Sequence, residues 1–230
     1  MLTWYVAFLF STTAHEAAHA LAALKGGDPT AYLGGQVSLN PVPHIKRSPF
    51  GTVVVPILAF MFGGWMIGWA SAPYNPLWAA QHPRRAAWMA AAGPAANLAI
   101  VVLAFTAIKI GLASEVFTAP PKSIGFSSIV ISEHSSWFGL ATLLSVLLSL
   151  NMILFIFNLF PVPPLDGSSV ITLFMSEEMT RKYRDFLNQP AFSFLGIILA
   201  WRLIGPVWRF MFLFIVNLVH PDGKWGYSDF

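Results

Sequence analysis

Residues 15–19 read His15-Glu16-Ala17-Ala18-His19, inside an apolar stretch of helical character. Positions four apart lie one turn apart on the same helix face, so the two imidazoles can close on one metal ion while Glu16 reaches a metal-bound water. Three ionisable side chains in an apolar helix are costly in lipid and are kept where they pair with a metal or a proton path. Two protein ligands are too few for catalytic zinc, which takes three and leaves a position open for water. The chain has no cysteine, so disulfides and thiolate ligands are excluded and the third ligand must be His, Asp or Glu. Positions 22 and 25, where the longer soluble signature needs a glycine and a third histidine, hold Ala22 and Lys25. No carboxylate occurs between Asp28 and Glu115, and Asp28 follows a glycine break as a turn residue would. Asp166, in Pro163-Pro164-Leu165-Asp166-Gly167, can enter an apolar region from a fixed turn and is the third-ligand candidate. Its competing role is to cap a short helix starting near Ser168.

The elements that must position these groups are apolar. Of 230 residues, 56% are hydrophobic and 10% charged, against about 25% charged in soluble domains, which argues against a water-soluble fold. Apolar stretches recur at about 2–25, 51–72, 86–110, 138–160 and 192–219, each near or above the roughly 20 residues that cross a bilayer. The chain therefore reads as one integral-membrane domain over 1–230, all-α and polytopic, with four to five transmembrane helices plus a re-entrant or broken segment. The broken segment is 51–72, which contains Pro56, Gly63, Gly64 and Gly68 and stops before Pro73. Alternation from Gln36 to Leu39 predicts a short β-hairpin near residues 31–40. Residues 111–137 form a mixed loop, 161–167 a proline-rich turn, and 176–189 a polar surface helix or loop. The segment 192–219, with Arg202, Arg209 and Gly205-Pro206, is either one kinked helix or two short pieces. No Lys or Arg precedes His15, so the first segment lacks the basic start of a cleavable signal and is expected to remain.

His-Glu-Ala-Ala-His in one apolar helix, Ala-Ala-Gly-Pro-Ala-Ala-Asn at 91–97 and Phe-Asn-Leu-Phe-Pro-Val-Pro-Pro-Leu-Asp-Gly at 157–167 together resemble the site-2 protease family of intramembrane zinc metalloproteases. Val37-Ser38-Leu39-Asn40-Pro41 with Phe50-Gly51-Thr52 is similar to its short bacterial members, and 230 residues leave no space for a PDZ or CBS insertion. The resemblance implies one Zn2+ per chain held by His15, His19 and Asp166, with Glu16 as catalytic base. It also implies that Asn97 and Asn158 line the site, their amides holding an extended substrate or the oxyanion; the alternative for both is hydrogen bonding between helices. The substrates implied are membrane proteins, cut within or near their transmembrane segments after local unwinding. The strand-like 36–39 segment is a candidate clamp for the opened substrate. Lys46-Arg47-Ser48 after His44 departs from the family pattern, where an acidic residue is expected.

A shared ion places the His pair and Asp166 at one membrane depth, each toward the C-terminal end of its helix. The two helices must then run the same way, and 51–72 must fail to cross. Lys25, Lys46, Arg47, Arg84, Arg85, Arg181, Lys182 and Arg184 fall on one side, with Lys109, Lys122 and Lys224 on the other. The richer side is expected to be cytoplasmic, so the site opens toward the cytoplasm of a bacterial cell membrane. The same placement explains the net charge of +3 by membrane orientation and not by nucleic-acid binding. His44, His82, His134 and His220 read as surface or interfacial, with His44 a candidate auxiliary residue. Two rival functions use the same residues: a metal-ion transporter, which would dispense with Glu16, and an inactive relative that binds membrane helices.

Overall fold

The computed structural model describes residues 1–121, 123–187, 190–221 and 223, with residues 190–193 as backbone only. Three helices form the centre: α1 (Leu2–Lys25), α6 (Pro83–Ala113) and α7 (Ser135–Asn158). Between α1 and α6 lie α2 (Thr30–Leu33), α3 (Pro41–Arg47), a π-helical turn Phe50–Val54 running into α4 (Val55–Gly63), and α5 (Pro76–Gln81). After α7 come α8 (Gly167–Val170), a 3-10 turn Ile171–Phe174, α9 (Glu177–Leu187) and α10 (Pro190–Val219). Local chemistry sets the starts of the short helices. Asn40 and Asn75 each accept main-chain N–H bonds into the first turn, and a proline follows each, needing no partner for an N–H it lacks.

Cross-helix contacts give the directions. Along α1, His15 meets Asn97 while His19 meets Met89, so α1 and α6 are antiparallel. Trp4, Phe8, Val146 and Leu150 pack in one buried cluster, and Ser11 meets Asn151, so α1 and α7 run parallel. Buried Ala20 and Ala23 of α1 and buried Ala86, Ala90 and Gly93 of α6 let those two backbones approach closely. A second cluster packs Phe212, Val216 and Val219 of α10 against Ile108 and Leu148.

Arg85 Nη1 donates to the Gly26 carbonyl at 3.1 Å, so the chain leaves α1 and enters α6 at the same end. Residues 27–82 therefore make no net crossing. Within them, α3 and the Phe50–Gly63 helix meet at a bend of 113°, and Gly64 closes α4 in the left-handed region at φ +74°, a conformation glycine adopts without steric cost. An irregular, mostly extended stretch follows, tied by Trp69 N–H to the Gly51 carbonyl and by Gln36 Nε2 to the Ser71 carbonyl. Arg47 and Arg184 also anchor at this end of the bundle, on Ser71 Oγ and the Ala79 carbonyl, whereas Lys109 donates to the Val219 carbonyl at the far end of α6. Lys122 and Lys224, expected with Lys109, lie outside the described residues.

Several expectations are corrected. Among the described residues three helices are long and apolar enough to cross a membrane, α6, α7 and Phe194–Val219 of α10, with a fourth if the bent pair counts as one span, so the four to five spans expected are not confirmed. The 24-residue α1 misses because the side chains that give it chemistry lower its hydropathy. The predicted hairpin at 31–40 is instead α2 followed by turns, and no strand occurs among the described residues beyond an isolated Thr118–Ile131 bridge. Four alternating residues are a weak strand signal, and Gln36, buried, spends its amide on Ser71 where a strand would need a paired neighbour. A clamp built on a 36–39 strand is thereby removed. His44 and His220 are buried, not surface residues. The segment 192–219 lies in one helix with Pro206 inside it.

Asp28 ties the end of α1 to the start of α5. Its Oδ1 accepts from Thr30 N–H at 3.0 Å and Thr30 Oγ1 at 2.5 Å, and its Oδ2 accepts from Asn75 N–H at 2.7 Å. Burial pushes the carboxyl up, but these bonds outweigh it and hold the group below its ordinary range. With the folded value depressed, the clip contributes fully above about pH 4 and is lost as pH falls through the folded value. Asp28→Asn should melt below the parent near neutral pH, by about 1–3 kcal/mol of stability, and the gap should close in acid; thermal unfolding in detergent from pH 7 down to about pH 3 reads this directly.

Candidate metal centre

Three ligand atoms from distant parts of the chain converge. His15 Nε2 and His19 Nε2 lie 2.9 Å apart, and Asp166 Oδ2 lies 3.2 Å from the first and 3.3 Å from the second. Ligands placed about 2.0–2.1 Å from a tetrahedral zinc are separated by roughly 3.3 Å, so the triangle is close to one face of such a site. Among the described residues this is the one His, Asp and Glu group with metal-ligating spacing.

The hydrogen bonds behind the rings strengthen the fit. His15 Nδ1 is 2.6 Å from Asn97 Oδ1, and His19 Nδ1 is 2.7 Å from the Met89 carbonyl oxygen. Both partners are acceptors, so both Nδ1 atoms carry the proton, and in the neutral rings both Nε2 atoms present bare lone pairs to each other and to a carboxylate. No hydrogen bond can join two lone pairs. Asp166 Oδ2 is likewise buried without a hydrogen-bond partner, a costly state unless a cation takes up the charge. The donor set, two imidazoles and one carboxylate with fixed tautomers, is that of catalytic zinc.

Local structure explains each placement. His15 and His19 are successive-turn residues of α1, and the α6 backbone faces them at Gly93. A methyl group at position 93 would fall onto the His19 ring and 2.6 Å from His15 Nε2. Pro94 follows, withholding an N–H from the Ala90 carbonyl four residues back, and one residue earlier on the same turn the Met89 carbonyl accepts from His19. Asp166 stands immediately before α8, yet its side chain makes no capping bond. The competing role of helix cap is therefore not the one its carboxylate takes up.

Glu16 is buried and lines the same cleft as the three ligand residues, a cavity of about 1220 Å³. Residues 65–74 run along one wall, Trp201 and Trp208 of α10 stand on another, and Tyr183 and Arg184 of α9 reach it as well. Of the two asparagines expected in contact with substrate, Asn158 lines this cleft. Asn97 does not: it is fully buried behind His15, its Oδ1 on that ring and its Nδ2 donated to Asn151 Oδ1 at 2.9 Å. His44 stays apart from the cleft, its Nε2 3.1 Å from the Ser38 carbonyl oxygen.

Sequence reasoning missed Gly93 as the floor beneath the imidazoles, the Met89 carbonyl, the 65–74 wall and Asn151. The small residues at 91–96 signalled close helix approach but not what approaches. Asn151 was visible as a polar residue in an apolar span, and Ser11, His15 and His19 share one helix face at four-residue spacing. The Met89 carbonyl has no side-chain signal at all. Gly93→Ala should displace the rings and weaken zinc binding at least tenfold with helix content retained, as competition against a chelating indicator and circular dichroism on the purified variant would show.

Comparison with known proteins agrees with this geometry. The family model described as Peptidase family M50 matches residues 3–203. The chain is 32% identical over 167 residues to YwhC of Bacillus subtilis (strain 168), covering 72% of this chain and 66% of that protein. It is 27% identical over 177 residues to Rip2 of Mycolicibacterium smegmatis (strain ATCC 700084 / mc(2)155), covering 76% of this chain and 58% of that protein. Both relatives carry zinc-metalloprotease names, and the matched part of the chain spans less than two thirds of either, 66% of the first and 58% of the second. No solved structure gives a significant match. With a peptidase model matching all but the ends of the sequence, the chain belongs to peptidase family M50, the membrane metalloprotease family its motifs resemble.

Proposed function

We propose that this chain is an intramembrane zinc endopeptidase that cuts membrane-protein substrates within or near their transmembrane segments. The observation that carries the reading is the triangle of His15 Nε2, His19 Nε2 and Asp166 Oδ2 beside Glu16 in one cleft. His15, His19 and Asp166 hold one Zn2+, which when bound polarises the scissile carbonyl and acidifies its water. Glu16 takes the proton of the attacking water and later delivers it to the leaving amine, a general acid–base role worth about 10²–10⁴ in rate. The Asn97 and Met89 acceptors keep the imidazole protons on Nδ1, which reserves both Nε2 lone pairs for the ion and leaves the proton transfer to Glu16.

A transmembrane substrate hides its peptide bonds in its own helix, so it must open before attack. The irregular 65–74 wall offers main-chain groups to an opened segment, which would pair with it in extended form. Asn158, which lines the same cleft, would bind the same segment. The Lys25, Arg85 and Arg184 end of the bundle faces the cytoplasm by the charge rule, and the cleft opens toward it.

The decisive variants separate metal from chemistry. Glu16→Gln should lose at least a hundredfold in cleavage of a model transmembrane substrate while retaining zinc, and Asp166→Ala should lose both; elemental analysis of the purified proteins beside a gel-based cleavage assay reads the two effects. Persistent cleavage by Glu16→Gln contradicts the proposal.

A further inference from the structure

The proposed metal site depends on His15 presenting a bare Nε2, and the hydrogen bonds behind His15 continue well past Asn97. Asn97 Nδ2 donates to Asn151 Oδ1 at 2.9 Å; Asn151 Nδ2 donates to Ser11 Oγ at 2.8 Å and to the Leu147 carbonyl at 2.8 Å; Ser11 Oγ donates to the Ala7 carbonyl at 2.6 Å. Ser11, Asn97 and Asn151 are all fully buried. The circuit passes from α1 to α7 to α6 and back to α1, one turn from where it started.

An amide is polar and has two ends, so Asn97 could stand either way round. Turned over, it would aim an N–H at His15 Nδ1 and force the ring's proton onto Nε2, where it would block the metal. What selects the working orientation is Asn151. The Leu147 carbonyl can only accept, and Ser11 has committed its proton to Ala7, so the Asn151 NH2 must face both and its oxygen must face Asn97. Asn97 then has to turn its NH2 toward Asn151 and its oxygen toward His15. We propose that Asn151, with Ser11 and the Leu147 carbonyl, is a positioning residue for the metal centre: it fixes the amide of Asn97 and through it the tautomer of His15. It touches neither metal nor substrate.

The inference rests on the zinc reading of the site, and its test must not depend on activity. Partners standing behind a ligand histidine typically carry 10–100-fold in metal affinity. Asn151→Leu removes the oxygen that orients Asn97, and the variant should bind zinc at least tenfold more weakly than the parent in a competition titration of the metal-stripped, detergent-purified protein. Asn97→Asp added to Asn151→Leu gives His15 a carboxylate, which has no wrong way round; the double variant should return to within about threefold of the parent. A role for Asn151 in packing alone would not be rescued by Asn97→Asp. Asn151→Ala, which adds no bulk, is titrated alone and with Asn97→Asp in case the leucine is not accommodated. Parental zinc affinity in both single variants, or no gain from Asn97→Asp, overturns the inference while leaving the zinc site standing. A parent that binds no zinc overturns both.

Discussion

Two imidazole lone pairs and a carboxylate oxygen meet within 3.3 Å of one another inside an apolar helix bundle. Without a cation this cluster is electrostatically unfavourable: the nitrogens repel and the carboxylate oxygen lacks a hydrogen-bond donor. A divalent ion between them would join the same three groups into a cross-link between α1 and the turn after α7. Such an ion would couple metal binding to helix assembly, because the three candidate ligands come from α1 and from the turn after α7, about 150 residues away in sequence.

Much of the fold can be understood as serving that convergence. Parallel α1 and α7 bring a mid-helix pair and a post-helix turn to one level, which requires the antiparallel α6 between them and a returning segment at 27–82. The α1–α6 seam is made of alanines and Gly93, so α6 can lie directly under the imidazoles. Polar groups in the apolar interior are then satisfied from helix to helix: Asn97 and Met89 behind the rings, Asn151 behind Asn97. The remaining wall of the cleft is left to 65–74, a non-helical stretch tied back through the Trp69 N–H and the Ser71 carbonyl.

The ligand candidates were legible because their chemistry constrains spacing: a histidine pair four apart in an apolar helix admits few purposes, and with cysteine and nearby carboxylates excluded, Asp166 stood out by its fixed turn after an apolar span, the position the family resemblance also implied. Helices α6, α7 and α10 were legible from the length of their apolar runs. The region between α1 and α6 was not. There the alternation at Gln36–Leu39 resembled a strand, but prolines and glycines allow only short helices and turns, and tertiary bonds such as Gln36 to Ser71 settle the outcome. Asn97 illustrates a different limit. An asparagine in an apolar helix announces a polar partner without saying which, and the choice between substrate and histidine depended on which way the helix faces.

The central claim is that one zinc ion is held by two imidazoles and one carboxylate, with a position left for water. X-ray absorption at the zinc edge of the purified protein tests it most directly. The account predicts four nitrogen or oxygen neighbours at about 2.0–2.1 Å, with outer-shell scattering from two imidazole rings. A zinc signal with one imidazole or none, or a protein that retains no zinc when purified without chelators, would contradict it.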